Sequence, residues 1–181
     1  MALEIEVKIR MPDDSGHQQL RQKLPTAGGQ HAGVVHETNV FFDRPDRSLL
    51  NVNAGLRVRK TVAEGTGEVR GLLTYKGPPQ PHGLRSREAF DVHVDPPDET
   101  TKLLVALGYQ ETLRFEKRRE TWLLDGCNVE LDEIAELGKF VEIEGPTEDA
   151  VLAVRKKLGL DTIEPEHLGY AVMIAKRRGR S

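Results

Sequence analysis

Leu3-Glu4-Ile5-Glu6-Val7-Lys8-Ile9-Arg10 alternates strictly, with Leu3, Ile5, Val7 and Ile9 on one side and Glu4, Glu6, Lys8 and Arg10 on the other. A period of two is the signature of a strand and does not fit the 3.6-residue period of a helix. The same rhythm returns along the chain. Arg57 and Arg59 alternate with Leu56 and Val58, and Thr74 and Lys76 with Leu73 and Tyr75. Glu130 and Asp132 alternate with Val129 and Leu131, and Glu142 and Glu144 with Val141 and Ile143. One such strand alone would ordinarily turn its polar face to water.

Two features point elsewhere: the pattern recurs, and charge sign segregates by strand. Glu4/Glu6, Glu130/Asp132 and Glu142/Glu144 are like-charge pairs on one strand face, and such pairs repel unless a cation stands between them. Brought together, they describe an oxygen-rich site for a hard cation such as Mg²⁺, Mn²⁺ or Ca²⁺, with none of the His or Cys that Zn²⁺ prefers. Lys8, Arg57, Arg59, Lys76, Arg87 and Arg119 lie in strands at positions compatible with the same lining. Arginine offers bidentate phosphate recognition and lysine a compact point charge. A lumen holding both sets suits a polyphosphate chain, and the apolar faces would then pack outward against helices.

Strands are expected at residues 3–10, 31–43, 56–62, 71–76, 85–94, 109–124, 128–134 and 140–144. Helices are expected over about 12–24, 96–107 and 147–158 and after Pro165, with Thr147 as a cap. Pro25 and Gly28-Gly29 should stop the first helix, and residues 46–53 read as an irregular or short helical crossing. Asp125-Gly126 is a strong hairpin turn. Roughly eight strands in so short a chain imply an α+β fold, an eight-stranded antiparallel β-barrel with helices packed outside. At 181 residues this is one domain, 1–181.

Composition narrows the partners. With 26 basic and 29 acidic side chains the net charge is −3, so there is no bulk attraction for nucleic acid or an anionic membrane. No apolar run reaches the ~18–20 residues of a membrane span. Acids interrupt the first apolar stretch, so no secretory signal is expected and the protein reads as cytoplasmic. Cys127 is the only cysteine, which rules out an internal disulfide and a thiolate metal cluster within the chain. The six histidines are dispersed without metal-ligand spacing and are expected at the surface. Gly65-Thr66-Gly67 precedes no helix and is not read as a phosphate loop. Trp122 reads as packing, and Lys176–Arg180 as a solvated helix end.

Glu4-Ile5-Glu6-Val7-Lys8 resembles the N-terminal ExExK motif of the CYTH superfamily, the triphosphate tunnel metalloenzymes. Its neighbours reinforce the likeness. Leu56-Arg57-Val58-Arg59 resembles the LRxR strand, Leu73-Thr74-Tyr75-Lys76-Gly77-Pro78 the lysine strand, and Ser86-Arg87-Glu88 the strand after it. Lys117-Arg118-Arg119-Glu120-Thr121-Trp122 resembles the late basic strand. Glu130-Leu131-Asp132 and Glu142-Ile143-Glu144, with Leu137-Gly138 between, resemble the closing acidic strands. The resemblance covers nearly the whole chain. It implies a tunnel of eight antiparallel strands, with metal held by Glu4, Glu6, Glu130, Asp132, Glu142 and Glu144. It assigns triphosphate binding to Lys8, Arg57, Arg59, Lys76, Arg87 and Arg119.

The superfamily contains thiamine triphosphatases, inorganic triphosphatases and class IV adenylyl cyclases. The expected activity is hydrolysis of a small-molecule triphosphate with Mg²⁺ or Mn²⁺, with Glu6, Arg59 and Lys76 bearing most directly on the chemistry. Inorganic triphosphate is favoured over thiamine triphosphate because the chain has few aromatic residues to build a pocket. One alternative is a cyclase converting ATP to cyclic AMP and pyrophosphate, although Met1-Ala2-Leu3 holds no counterpart of the His-Phe pair that class IV cyclases carry before ExExK. The other is a non-catalytic polyphosphate- or nucleotide-binding module. The family's last helix often opens with Ser-Tyr; Gly169-Tyr170 stands here, leaving His167 and Lys176 as candidate contacts from this region. The protein is expected to be a monomer or homodimer.

Overall fold

Residues 2–13, 15–79 and 85–179 are described by the computed structural model, and the side chains of residues 2–4 and 85–86 lie outside that description. Each period-two segment forms a strand: β1 (Ala2–Arg10), β2 (Gln30–Asp43), β3 (Gly55–Ala63), β4 (Val69–Pro79), β5 (Arg85–Val94), β6 (Gln110–Leu124), β7 (Cys127–Ile134) and β8 (Gly138–Gly145). The helices are α1 (Ser15–Thr26), α2 (Ser48–Asn51), α3 (Pro97–Ala106), α4 (Glu148–Lys157) and α5 (Tyr170–Arg177). No described helix is long and apolar enough to cross a membrane.

The sheet closes in the order β1–β5–β4–β3–β2–β6–β7–β8, antiparallel throughout. Two meanders, β2 to β5 and β6 to β8, are joined by the β2–β6 pairing and closed by β1. The first half of β1 pairs with β5 and its second half with β8. Asp125 and Gly126 turn β6 into β7 with φ of 50° and 79°, the two positive angles that a type I′ hairpin requires. Beyond β5, the free edge of β1 is met by residues 165–166: Ile9 bridges Pro165, and the Glu166 amide donates to the Lys8 carbonyl at 2.7 Å. Pro165 therefore starts a bridge, and α5 begins only at Tyr170.

Apolar strand faces point outward. Val129, Leu131, Val141 and Ile143 are fully buried against Leu20 and Leu24 of α1, Val151 and Val154 of α4, and Leu158 just beyond α4. Leu104 of α3 covers Val40, Phe42 and Val58. A third cluster lies at one end of the barrel, where Tyr170, Met173 and Ile174 of α5 pack on Leu113, Phe115, Ile134 and Phe140. Trp122 packs in the first cluster, as expected, and its indole N–H donates to Glu120 at 2.9 Å.

Two local expectations differ. Pro25 falls inside α1, which continues to Thr26 and stops at Gly28 (φ 91°), with the Gly29 amide returning to the Leu24 carbonyl at 2.8 Å. A proline in the last turn forfeits one backbone bond where the helix is ending anyway. His17 is not on the surface: it is fully buried under α1, its Nε2 2.8 Å from the Phe140 carbonyl oxygen. Burial lowers its pKa below the usual histidine value.

At Gly71, β4 approaches β5 and the start of α3 closely. A Cβ there would lie 2.3 Å from the Val94 carbonyl oxygen and 2.8 Å from the Pro97 Cβ. Gly71→Ala should therefore destabilise the protein by about 1–3 kcal/mol, as overpacking does. Urea unfolding should show a lower midpoint; an unchanged midpoint would mean the two strands separate without cost.

Candidate functional site

Strand register decides which charges meet inside the barrel. Arg119 lies opposite Asp132, Lys117 opposite Glu37, Arg59 opposite Asn39, Lys8 opposite Glu142, and Glu130 opposite Glu142. Directly opposed side chains sit about 5 Å apart, so the facing pair Glu130/Glu142 needs a cation nearby. Arg119 supplies it. Its guanidinium donates to both oxygens of Asp132, at 2.7 Å from Nε and 2.6 Å from Nη2. Nη1 meets Glu130 and Nη2 also meets Glu142, while Glu37 lies 3.9 Å from Nε.

Lysines hold the flanks. Lys117 Nζ lies 3.1 Å from Asp132 and 3.5 Å from Glu37, and Lys8 Nζ 3.0 Å from Glu142. Arg59 Nε is 3.3 Å from both Glu37 and the Asn39 side-chain oxygen. From α5, the Tyr170 hydroxyl donates to Asp132 at 2.9 Å, and its ring lies 4.1 Å beneath Lys8 Nζ. Lys8, Glu37, Asn39, Lys117, Arg119, Glu130, Asp132 and Glu142 are all buried.

Burial and charge pull the titrations apart. Burial would raise Glu37, but Lys117, Arg59 and Arg119 hold it well below the carboxylate range. Glu142 is likewise held well below by Lys8 and Arg119 against the effect of burial. Glu130 goes the other way: burial, reinforced by Asp132 and Glu142, raises it to about 7 despite Arg119. Arg119 is raised well above its usual value because Asp132, Glu130 and Glu37 outweigh its burial. One guanidinium is thus shared among three carboxylates, two of which also hold a lysine, Lys8 on Glu142 and Lys117 on Asp132.

The expected residues divide into groups. Lys8, Arg59, Arg119, Glu130, Asp132 and Glu142 are brought together in this cluster. Glu6 and Glu144 are half-buried cross-strand partners on β1 and β8, and Arg57 and Lys76 are half-buried on β3 and β4. Arg87 Nη1 donates to the carbonyls of Asn53 (2.9 Å) and Gly77 (3.4 Å). Glu4 is in β1 opposite Arg87, but its side chain lies outside the described residues, as does all of His82. His167 and Lys176 are exposed. Sequence reasoning missed Glu37, Asn39 and Lys117, and marked Tyr170 only through the Gly169-Tyr170 match. The first three carried a signal, since Glu37/Asn39 and Lys117/Arg119 obey the same two-residue spacing.

Among the described residues no three His, Cys, Asp or Glu side chains are arranged to hold a metal ion, because the lumen carboxylates turn to Arg119, Lys117 and Lys8. The donor set nevertheless fits a hard cation. It offers only carboxylate oxygens, and Glu130, Asp132 and Glu142 converge on one point from two adjacent strands.

Residues 2–166 match the CYTH domain. The adenylate cyclase CyaB of Aeromonas hydrophila is 25% identical over 146 residues, 76% of this chain and 71% of that protein. A Methanocaldococcus jannaschii protein, provisionally described as an adenylate cyclase, is 23% identical over 147 residues, 81% of this chain and 79% of that one. Among solved structures, the PH1819 protein from Pyrococcus horikoshii superposes with a TM-score of 0.82 at 26% identity, covering 96% of this chain and 99% of its own. HpAC1 from Hippeastrum, described as having a dominant triphosphatase activity, superposes with a TM-score of 0.71 at 21% identity, covering 100% of this chain and 97% of its own.

Glu130 gives the fold a measurable pH dependence. The folded carboxyl keeps its proton up to about 7, whereas an unperturbed one releases it near 4.5. Between those values the folded state binds the extra proton, so this contribution to stability is complete below about 4.5 and is lost as pH rises through about 7. In chelator-treated protein, Glu130→Gln should therefore gain stability relative to the original chain as pH rises across this window. Urea unfolding at a series of pH values reads the difference, and a pH-independent gap would refute the assignment.

Proposed function

We propose, since the chain belongs to the CYTH domain family, that it hydrolyses a small-molecule triphosphate, inorganic triphosphate or an organic one such as thiamine triphosphate, with Mg²⁺ or Mn²⁺ and release of phosphate. Members of this family process triphosphates, and residues 1–181 are read as one tunnel-barrel domain, placed in the cytoplasm. What carries the reading is the burial of Lys8, Lys117 and Arg119 among Glu37, Glu130, Asp132 and Glu142 inside the barrel. Buried ion pairs are poor stabilisers, often no better than apolar replacements, so the fold alone gives little reason to keep them. A polyanion that must be desolvated and neutralised does.

Lys8, Arg57, Arg59, Lys76 and Arg119 bind phosphate oxygens, with Arg87 alongside. Glu4, Glu6, Glu130, Asp132, Glu142 and Glu144 hold the divalent ion. When bound, that ion polarises the phosphoryl group and lowers the pKa of a coordinated water. In hydrolysis the water oxygen forms a bond to the terminal phosphorus while the bridging P–O bond breaks, its electron pair leaving with the diphosphate. The guanidinium and ammonium groups stabilise charge on both fragments. No covalent nucleophile is required.

A cyclase is the second reading, favoured by the name of the Aeromonas relative. It would use the same chamber but join a ribose oxygen to the α-phosphorus of ATP and expel pyrophosphate. Incubation with inorganic triphosphate, thiamine triphosphate and ATP, each with Mg²⁺, Mn²⁺ or EDTA, separates the readings. EDTA-sensitive phosphate release is expected, cyclic AMP would favour the cyclase, and silence on all three would leave a binding module. Arg59→Ala and Glu6→Ala should each lower kcat by about 10²–10³. Turnover retained within a factor of about three by the folded variants would remove these residues from the chemistry.

A further inference from the structure

We infer that Arg119 is a stand-in cation. It occupies the acidic cluster formed by Glu130, Asp132 and Glu142, and it must give up these side chains before they can hold a divalent ion. This rests on the proposed metal and triphosphate chamber and adds an exchange of partners within it.

All three guanidinium nitrogens of Arg119 are committed to carboxylates: Nε and Nη2 to Asp132, Nη1 to Glu130, and Nη2 also to Glu142. A carboxylate oxygen that accepts an N–H at this range does not present the same lone pair to a metal. The three acids come from two adjacent strands, β7 and β8, whose register holds them in place when the guanidinium departs. Lys8 on Glu142 and Lys117 on Asp132 approach from other strands, so these two acids keep a cation after the exchange. Only the Arg119 side chain has to move.

Phosphate offers what would draw it away. A guanidinium fork matches a phosphate as well as a carboxylate and binds either bidentately. The triphosphate takes Arg119, the carboxylates are released, and the divalent ion replaces the charge that left. Metal affinity in the absence of phosphate is therefore held down by Arg119 itself, and the chamber loads fully only when substrate is present. This coupling follows from one side chain having two alternative partners.

The test uses Mn²⁺ alone as probe, with the chelator-treated, phosphate-free full chain, reading the loss of the free Mn²⁺ paramagnetic resonance signal. Arg119→Gln should bind Mn²⁺ at least about tenfold more tightly than the original chain, a common size for coupling between two sites. Equal or weaker binding by the folded variant overturns the inference while leaving the metal site intact. If neither protein binds Mn²⁺, the metal-site reading itself falls and the stand-in with it. Where Arg119→Gln does not fold, side-chain nitrogen resonances of the original chain decide. The Arg119 Nε–H signal should shift when Mg²⁺ binds, and a signal that stays in place as Mg²⁺ binds overturns the inference.

Discussion

Carboxylates buried this deeply remain ionised only where cations share their space, and that requirement organises the barrel. Arg119 reaches Glu130, Asp132 and Glu142 because β6, β7 and β8 are paired in a register that turns all four inward. A slip of one residue would send every one of them to the opposite face and put Leu131 and Val141 inside. The charged lumen in turn dictates the outside. Faces that would form the core of an ordinary small barrel point outward here, so α1, α3 and α4 must cover them.

Stability and chemistry are thereby separated. The outer shell of Val129, Leu131, Val141 and Ile143 against α1 and α4 supplies apolar burial, at roughly 25 cal/mol per Å² removed from water. The interior contributes little net stability, since desolvating so many ions offsets most of their attraction. The shift of Glu130 to about 7 is a local sign of this imbalance. Such an interior is pre-organised for a ligand that brings charge of its own.

Much of this was legible in the sequence because period two is a geometric statement. The inward set of β1, β3, β7 and β8 follows from the parity of Glu6, Arg57, Asp132 and Glu142. In β2 the same parity ran through Glu37 and Asn39, but aromatic and β-branched neighbours invited a reading by propensity, which says nothing about faces. Lys117 was passed over in the same way beside Arg119. Tyr170 was marked by the Gly169-Tyr170 match, but its contact with Asp132 was not legible, because that depends on where α5 docks. Nor was the clasp around Arg119, since parity gives a face while register gives a partner. His17 shows the same limit: a lone histidine on a short helix looks solvated until Phe140 is placed beneath it.

The last helix ties these levels together. At 8 residues, α5 is shorter than the ~12–15 residues at which an isolated helix becomes even marginally stable, so it exists only by docking. Its first residue, Tyr170, is also the one that enters the charge cluster and donates to Asp132. One side chain therefore serves two surfaces: the Tyr170 ring helps seat the helix on Phe140, and its hydroxyl completes the hydrogen bonding of Asp132.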